Sequence, residues 1–300
     1  MKKLTLPLFA LALATAAIAP SGLWAGAFET TTTTALHALQ DTPQILIVND
    51  DGIDTPGIAA LAQSLATLGD VYICAPDGNR SGASHSVTTA ATTMRLTARE
   101  IPFATESWAL DGTPSDCTTY GLLKLGKADF DLVVSGINRG NNVGDVAHYS
   151  GTIGAAVEGA LRGVPSIAVS ADHRQTDYAA CANVATQLAA QLLAGNGESR
   201  VVYSINLPGG VLDENTAVVA KPMGGLYFKV RGITEAEIET GDAKDIRILL
   251  GTDSADAPVG SDTEAYLAGS ITITPLNIDW TANQALAAIA EWRIHAPTRL

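Results

Sequence analysis

From residue 45 onward, short β-branched and apolar runs alternate with alanine- and leucine-rich stretches, and this rhythm constrains the fold more than any other feature of the chain. Runs at 45–48, 71–75, 132–134, 166–169 and 201–205 have the length of strands, and stretches at 57–68, 115–126, 152–163 and 177–194 have the length and composition of helices. Strands that are apolar at nearly every position, rather than at alternate ones, are buried on both faces, and the intervening helices supply the cover. The expected class is therefore α/β, with a Rossmann-like, mostly parallel sheet and helices on both faces. After Asn206-Leu207-Pro208 the rhythm changes. Residues 215–276 read as strands and turns rich in Gly and Thr, expected to form β-hairpins or an arm appended to the sheet, and an amphipathic helix is expected at 281–294. This divides one domain, 44–300, into a core at 44–208 and a C-terminal extension at 209–300.

Ahead of the core, Lys2 and Lys3 precede an apolar run from Leu4 to Ala19, and Ala25 and Ala27 offer small side chains for a cleavage site. This is the pattern of an export signal at 1–27. As a membrane anchor the run is short of the roughly 20 residues that span a bilayer, and Pro20 and Gly22 interrupt it. Residues 28–43, including the threonine run 30–34, have the composition of a linker. The expected location is periplasmic or secreted, with no membrane partner once the signal is removed. The formal charge is −13, and losing Lys2 and Lys3 makes it two units more negative. Such a surface repels polyanions, so long nucleic acid is an unsuitable partner, and a small anionic substrate needs a strong local positive charge such as a metal ion. Cys74, Cys117 and Cys181 are scattered and odd in number, with no CxxC spacing, and read as small buried residues rather than a disulfide framework or a zinc site.

In an open α/β sheet, ligands bind outside the carboxyl ends of the strands. Three such ends are unusually polar: Asn49-Asp50-Asp51-Gly52, the stretch from Asp77 to Gly82, and Ser135-Gly136-Ile137-Asn138-Arg139-Gly140. Adjacent carboxylates repel, and a bound cation is the simplest compensation. With a hydroxyl and an amide from neighbouring strand ends they would form an all-oxygen site of the kind hard ions such as Mg²⁺, Mn²⁺ or Ca²⁺ prefer. Taken alone, Asp50-Asp51 is equally a turn or a helix cap. A second feature shifts the balance. Ser150-Gly151-Thr152 opens a helical stretch, and a helix start with small residues and hydroxyls around it presents N–H groups to an anion such as phosphate. Ordinary capping by Ser150 or Thr152 accounts for the same residues without a ligand.

The segments NDDGIDTPG (49–57), APDGNRSGASHS (75–86), DGTPSDC (111–117) and SGINRGNNVGDVAHYSGTIGAAVEG (135–159) resemble, in order and spacing, the signature blocks of the SurE family. A fainter similarity follows in SINLP (204–208) and SDTEAYLAGSITITPL (261–276), so the resemblance runs from Gln44 nearly to the end. It implies a Rossmann-like fold with a C-terminal extension exchanged within a homodimer or homotetramer. It further implies a metal-dependent hydrolase of nucleoside 5′-monophosphates, and in some members of 3′-nucleotides or short polyphosphate. Carried over residue by residue, it makes Asp50, Asp51, Ser81 and Asn138 the ligands of one divalent cation, Mg²⁺ or Mn²⁺. Residues 209–260 have little of the family pattern, and Thr55 stands where alanine is more usual.

The reaction expected of such a site is hydrolysis by a metal-activated water, with Asp50 orienting or deprotonating that water and Asp51 chiefly holding the ion. Asn49, Gly82, Ser150, Gly151 and Thr152 are the expected phosphate contacts. His85 and His148 lie beside these blocks and are candidates for general acid, although packing explains a histidine there equally well. Arg80 and Arg139 are further candidates for the phosphate. No G-x-S-x-G elbow is present, which disfavours a covalent serine route. A signalling receiver domain also carries two acids after its first strand, but it needs an aspartate after the third strand, where this chain has Ser135 to Asn138. An exported metal- or nucleotide-binding protein without turnover is the non-enzymatic alternative.

Overall fold

The five apolar runs form strands of one sheet, and their hydrophobic residues are buried on both sides of it. This is seen in the computed structural model, which describes residues 42–88, 92–126, 129–198, 200–225, 228–236, 245–252 and 257–292. The export signal expected at 1–27 and all of the linker expected at 28–43 except Thr42 and Pro43 lie outside the described residues. In chain order the elements are β1 (Gln44–Val48), α1 (Pro56–Leu65), β2 (Asp70–Pro76), β3 (Leu96–Ala98), β4 (Glu106–Leu110), α2 (Pro114–Lys124) and β5 (Leu132–Arg139). A 3₁₀ turn (Gly144–Tyr149), α3 (Gly151–Leu161), β6 (Ser166–Ala171), α4 (Tyr178–Leu193) and β7 (Val201–Leu207) complete the core. The extension holds β8 (Val218–Ala220), β9 (Phe228–Ala236), β10 (Asp245–Thr252), α5 (Asp262–Leu267), β11 (Ile271–Asn277) and α6 (Asn283–Ala290).

Among the described residues the sheet has nine strands, in the order β3-β4-β2-β1-β5-β6-β7-β11-β8. Strands β4, β2, β1, β5, β6 and β7 are parallel, while β3 and β11 run antiparallel to their core neighbours. Ile45, Ile47 and Val134 pack with Ile58, Leu61 and Leu65 of α1 and with Cys181, Ala185 and Ala189 of α4. Leu46, Val48 and Val133 point the other way, toward Cys117 of α2 and Ala155 of α3. This is the expected doubly covered α/β architecture. All three cysteines are buried and unpaired, as small core residues.

Three features differ from expectation. The edge pair β3–β4 went unread because its sequence, with Glu106 and Ser107 in β4, has no continuous apolar run. Helix α5 appears inside the region read as strands and turns; it is short and is started by Ser261, whose hydroxyl accepts the Glu264 N–H at 3.2 Å. The extension is also less of an appendage than expected, because β11 and β8 extend the core sheet, and among the described residues only β9 and β10 form a separate antiparallel hairpin.

One buried carboxylate joins extension to core. Asp262 accepts hydrogen bonds from the N–H groups of Gly144 and Gly224, both at 3.0 Å, and from Thr263 N–H at 2.7 Å. Removing it strands buried donors, each costing about 1–3 kcal/mol. Asp262→Ala is therefore expected to lose about 3 kcal/mol in urea unfolding. A loss below about 1 kcal/mol would show that the joint is not held there.

Candidate functional site

The chain builds outward from β1 to β2 and β4, then returns to place β5 on the opposite side of β1. The order of strands thus reverses between β1 and β5, which opens a crevice beyond their carboxyl ends. Residues 49–52 and 138–142 occupy it. Asn49 holds the acidic turn together: its amide donates to the Gly52 carbonyl at 2.8 Å and to Thr55 Oγ1 at 3.0 Å, and its oxygen accepts from Gly52 N–H at 3.2 Å. Its side chain is fully buried and engaged within the loop. The phosphate role expected of it therefore does not fit its placement. The unusual Thr55 contributes to the same network.

Asp50 is buried, and Thr152 donates its hydroxyl to Asp50 Oδ1 at 2.6 Å. Burial raises the Asp50 carboxyl to about 6, the Thr152 hydrogen bond opposes the shift, and the neighbouring charge of Asp51 adds to it. Burial raises Asp51 as well, against the backbone N–H of Arg139, which donates to Asp51 Oδ2 at 2.8 Å. Gly151 permits the close approach of α3, since a Cβ there would lie 2.9 Å from the Cβ of Asp50. The helix start thus stands directly behind the first acid.

The loop after β2 is fastened across the same crevice. Arg80 N–H donates to the Asp50 carbonyl at 2.7 Å, and Asn79 bridges Asp51 Oδ1 at 3.3 Å and the Ser81 N–H at 3.0 Å. These contacts bring Ser81 and Gly82 to a cleft of about 640 Å³ that Asp50, Asn138 and Ser150 also line. The Asn138 amide N–H₂ donates to the Gly140 carbonyl at 2.9 Å, which leaves its oxygen as the acceptor end. Three of the four expected ligands, Asp50, Ser81 and Asn138, therefore share one cleft, with Asp51 beside them.

That donor set suits a hard cation. It is all oxygen, it includes two adjacent carboxylates raised by burial, and their hydrogen bonds come from hydroxyl, amide and backbone N–H groups rather than from basic side chains. Among the described residues, no group of three or more His, Cys, Asp or Glu side chains is placed to hold a metal, so a cation here would depend on Ser81 and Asn138 as well as the acids.

Other expected residues are placed differently. Ser150 lines the cleft while its hydroxyl caps α3 by accepting Ile153 N–H at 3.2 Å. Thr152 is fully buried behind Asp50. His85 Nε2 lies 3.0 Å from Glu158, which also takes Arg162 at 2.7 Å and Thr119 at 3.0 Å; the His85 bond is the largest influence holding Glu158 at about 2. His148 is exposed, and its carbonyl accepts the Ser84 hydroxyl. Neither histidine is among the described residues that line the cleft. The Arg80 guanidinium is tied to Asp77 and Asp111, whereas Arg139 is exposed at the cleft.

Asn141 and Asn142 also line the cleft and were given no role in the sequence, although they lie inside the 135–159 block, three and four residues after Asn138. Asn142 ties the cleft to the ends of β6 and β7 through Ser170 at 2.8 Å and Asn206 at 2.7 Å. Asn141 Oδ1 is buried without a hydrogen-bond partner among the described residues.

With this geometry in view, the similarities to known proteins are informative. The sequence profile described as "Survival protein SurE" matches residues 45–227. The protein named 5′-nucleotidase SurE from Aeromonas hydrophila is 37% identical over 253 residues, covering 83% of this chain and 98% of its own. Its counterpart from Nitrosococcus oceani is 37% identical over 258 residues, covering 85% of this chain and 99% of its own. Among solved structures, the SurE protein from Aquifex aeolicus superposes with a TM-score of 0.71 at 33% identity, covering 82% of this chain and 98% of its own.

Proposed function

This chain belongs to the SurE family, and on that premise we propose that it is a 5′-nucleotidase, a hydrolase releasing phosphate from nucleoside monophosphates. The observation that carries the reading is the adjacent carboxylates at the switch point of the sheet, with Asp50 buried and facing one cleft with Ser81, Asn138 and Ser150 at the start of α3, and Asp51 beside it. Asp50, Asp51, Ser81 and Asn138 would hold one divalent cation, Mg²⁺ or Mn²⁺. When bound, such an ion polarises a phosphoryl oxygen and acidifies water.

The protein's own groups do the rest. Asp50 carries its charge at neutral pH and stands at the cleft where it would orient the attacking water and accept its proton. Thr152 fixes the orientation of its carboxylate through the 2.6 Å bond. Ser150 and the first N–H groups of α3, with the backbone at Gly82, receive the phosphate. We extend the same reading to a periplasmic or secreted enzyme, from the export pattern expected at 1–27, and to a homodimer or homotetramer; 3′-nucleotides and short polyphosphate are secondary substrates.

The test is phosphate release from nucleoside monophosphates, 3′-nucleotides and polyphosphate with Mn²⁺ or Mg²⁺, with and without EDTA. Release from AMP that EDTA abolishes is expected. No release from any ester would leave the alternative, a binding protein without turnover, and release unaffected by EDTA would remove the metal from the mechanism.

A further inference from the structure

The segment that carries Ser81 does not stop at the cleft. Residues 83–88 continue from it as a strap laid against the start of α3 and over to α2. Ser84 donates its N–H to the Tyr149 carbonyl at 3.2 Å and its hydroxyl to the His148 carbonyl at 2.7 Å, both in the 3₁₀ turn that leads into α3. One residue further on, His85 Nε2 meets Glu158 Oε2 at 3.0 Å. Gly154 makes room for this approach, since a Cβ there would collide with the Ser84 carbonyl and lie 2.9 Å from His85 Cα. The far end of the strap belongs to α2: the Ser86 carbonyl accepts the Thr113 hydroxyl at 2.8 Å, and Thr88 N–H donates to Asp116 Oδ1 at 3.0 Å. Among the described residues, His85 is the one side chain of the strap that bonds to α3 itself.

Glu158 is buried within α3, where a carboxylate needs partners. It divides them between its two oxygens. Oε1 takes the Thr119 hydroxyl of α2 at 3.0 Å and the Arg162 guanidinium, one turn along α3, at 2.7 Å. Bracing the two helices therefore occupies one oxygen, and the other is left to the strap. Ser84, next to this bond, has a φ of +53°, which a non-glycine residue keeps only where its surroundings hold it.

Both partners lead back to the cleft. From His85 the chain returns to Ser81 and Gly82, and from Glu158 the helix returns to Ser150; all three line the cleft with Asp50. We propose that His85 is a positioning residue for this site: its bond to Glu158 seats the strap on α3 and so fixes Ser81 and Gly82 against Ser150. The hydroxyl that faces the cation and the helix start that faces the phosphate then keep one spacing. The proposal rests on the nucleotidase reading above and its cation at Asp50, Asp51, Ser81 and Asn138. His85 touches neither ion nor substrate. The bond requires a donor at Nε2 and nothing else of the ring, so glutamine, whose amide nitrogen has a similar reach, replaces it and alanine does not.

The test uses the full chain at a temperature at which circular dichroism shows every variant folded. In EDTA, amide exchange over 81–88 is expected to be about tenfold faster in His85→Ala than in the unmodified protein, and within about twofold of it in His85→Gln. Calorimetric titration with Mn²⁺ and turnover of AMP follow. His85→Ala is expected to lose about tenfold in Mn²⁺ affinity and in kcat/KM, the scale of losing a group that orients a metal ligand, and His85→Gln to recover most of both. Thr119→Val removes a partner of the same carboxylate on its bracing side. It is expected to lower Tm while strap exchange, Mn²⁺ affinity and turnover stay within about twofold of the unmodified protein. An alanine variant with unchanged strap exchange and Mn²⁺ affinity would overturn the proposal. So would a Thr119→Val variant with equal losses, which would reduce His85 to a part of the helix brace. No Mn²⁺ binding and no release from AMP in the unmodified protein would overturn the nucleotidase reading and the positioning role with it, while exchange in EDTA would still show whether His85 holds the strap.

Discussion

Asp50→Asn is expected to lower phosphate release from AMP by about 10²–10⁴-fold, the range typical of removing a positioned base, while making the chelated protein more stable. Both effects come from one property. Burial against α3 holds the Asp50 carboxyl at about 6 against an ordinary 3.8. A carboxyl whose folded pKa lies above its unfolded one binds its proton more tightly in the folded state. Its charge therefore opposes folding above about pH 6, and the penalty fades as pH falls toward 3.8. The shift corresponds to roughly 2–3 kcal/mol when the group is fully ionised. Asparagine removes that charge and still offers an oxygen to the Thr152 hydroxyl.

Thermal unfolding in EDTA at pH 7.5 is expected to place Tm of the variant above that of the unmodified protein. The unmodified protein is expected to gain stability between pH 7.5 and about 5. Below about 4.5 that gain is opposed, because Glu158, held at about 2 by His85, Thr119 and Arg162, stays ionised in the folded protein while its ordinary carboxyl in the unfolded chain takes up a proton. A variant with full turnover would remove Asp50 from the role of base, and one less stable than its parent in EDTA would show that the buried charge is not a burden on the fold.

The second large effect is expected at Gly136, in the middle of β5. Its φ is +145°, and an added Cβ would lie 2.4 Å from the Val169 carbonyl oxygen of the neighbouring strand. The β5–β6 pairing slips here: Ser135 faces Ala168 and Asn138 faces Ser170, so two residues of β5 pass one of β6. Such an irregularity re-aims the side chains beyond it, and here the first of these is Asn138 at the cleft. Gly136→Ala imposes both a disfavoured backbone conformation and a clash with a neighbouring strand, together about 3 kcal/mol or more. For a domain of this size that corresponds to a Tm lower by about 6–12 °C. Turnover is expected to fall by at least tenfold even in the fraction that remains folded, because Asn138 moves. An alanine variant within about 2 °C of its parent and fully active would show that the slip neither strains the sheet nor aims Asn138.

The sequence by itself determined the class of fold and the neighbourhood of the site. Continuous apolar runs at the positions of β1, β2, β5, β6 and β7 admit a sheet buried on both faces, and polar residues at the ends of three of them mark where a ligand enters. Both are local properties of a few consecutive residues, and both are legible without coordinates. The edge pair β3–β4 was not, because an edge strand needs no continuous apolar run. The tertiary structure decided what the individual side chains do. Thr152 reaches Asp50 across 102 positions and His85 meets Glu158 across 73. The first turns an expected phosphate ligand into the support of the acid, and the second takes a candidate general acid out of the cleft. The place of the β9–β10 hairpin came from tertiary structure as well: Val230, Ile248 and Leu250 share the lining of the cleft with Asp50, although about 180 or more positions separate them in sequence. Contacts of this kind depend on how distant segments meet rather than on what each segment is, and local sequence carries no record of them.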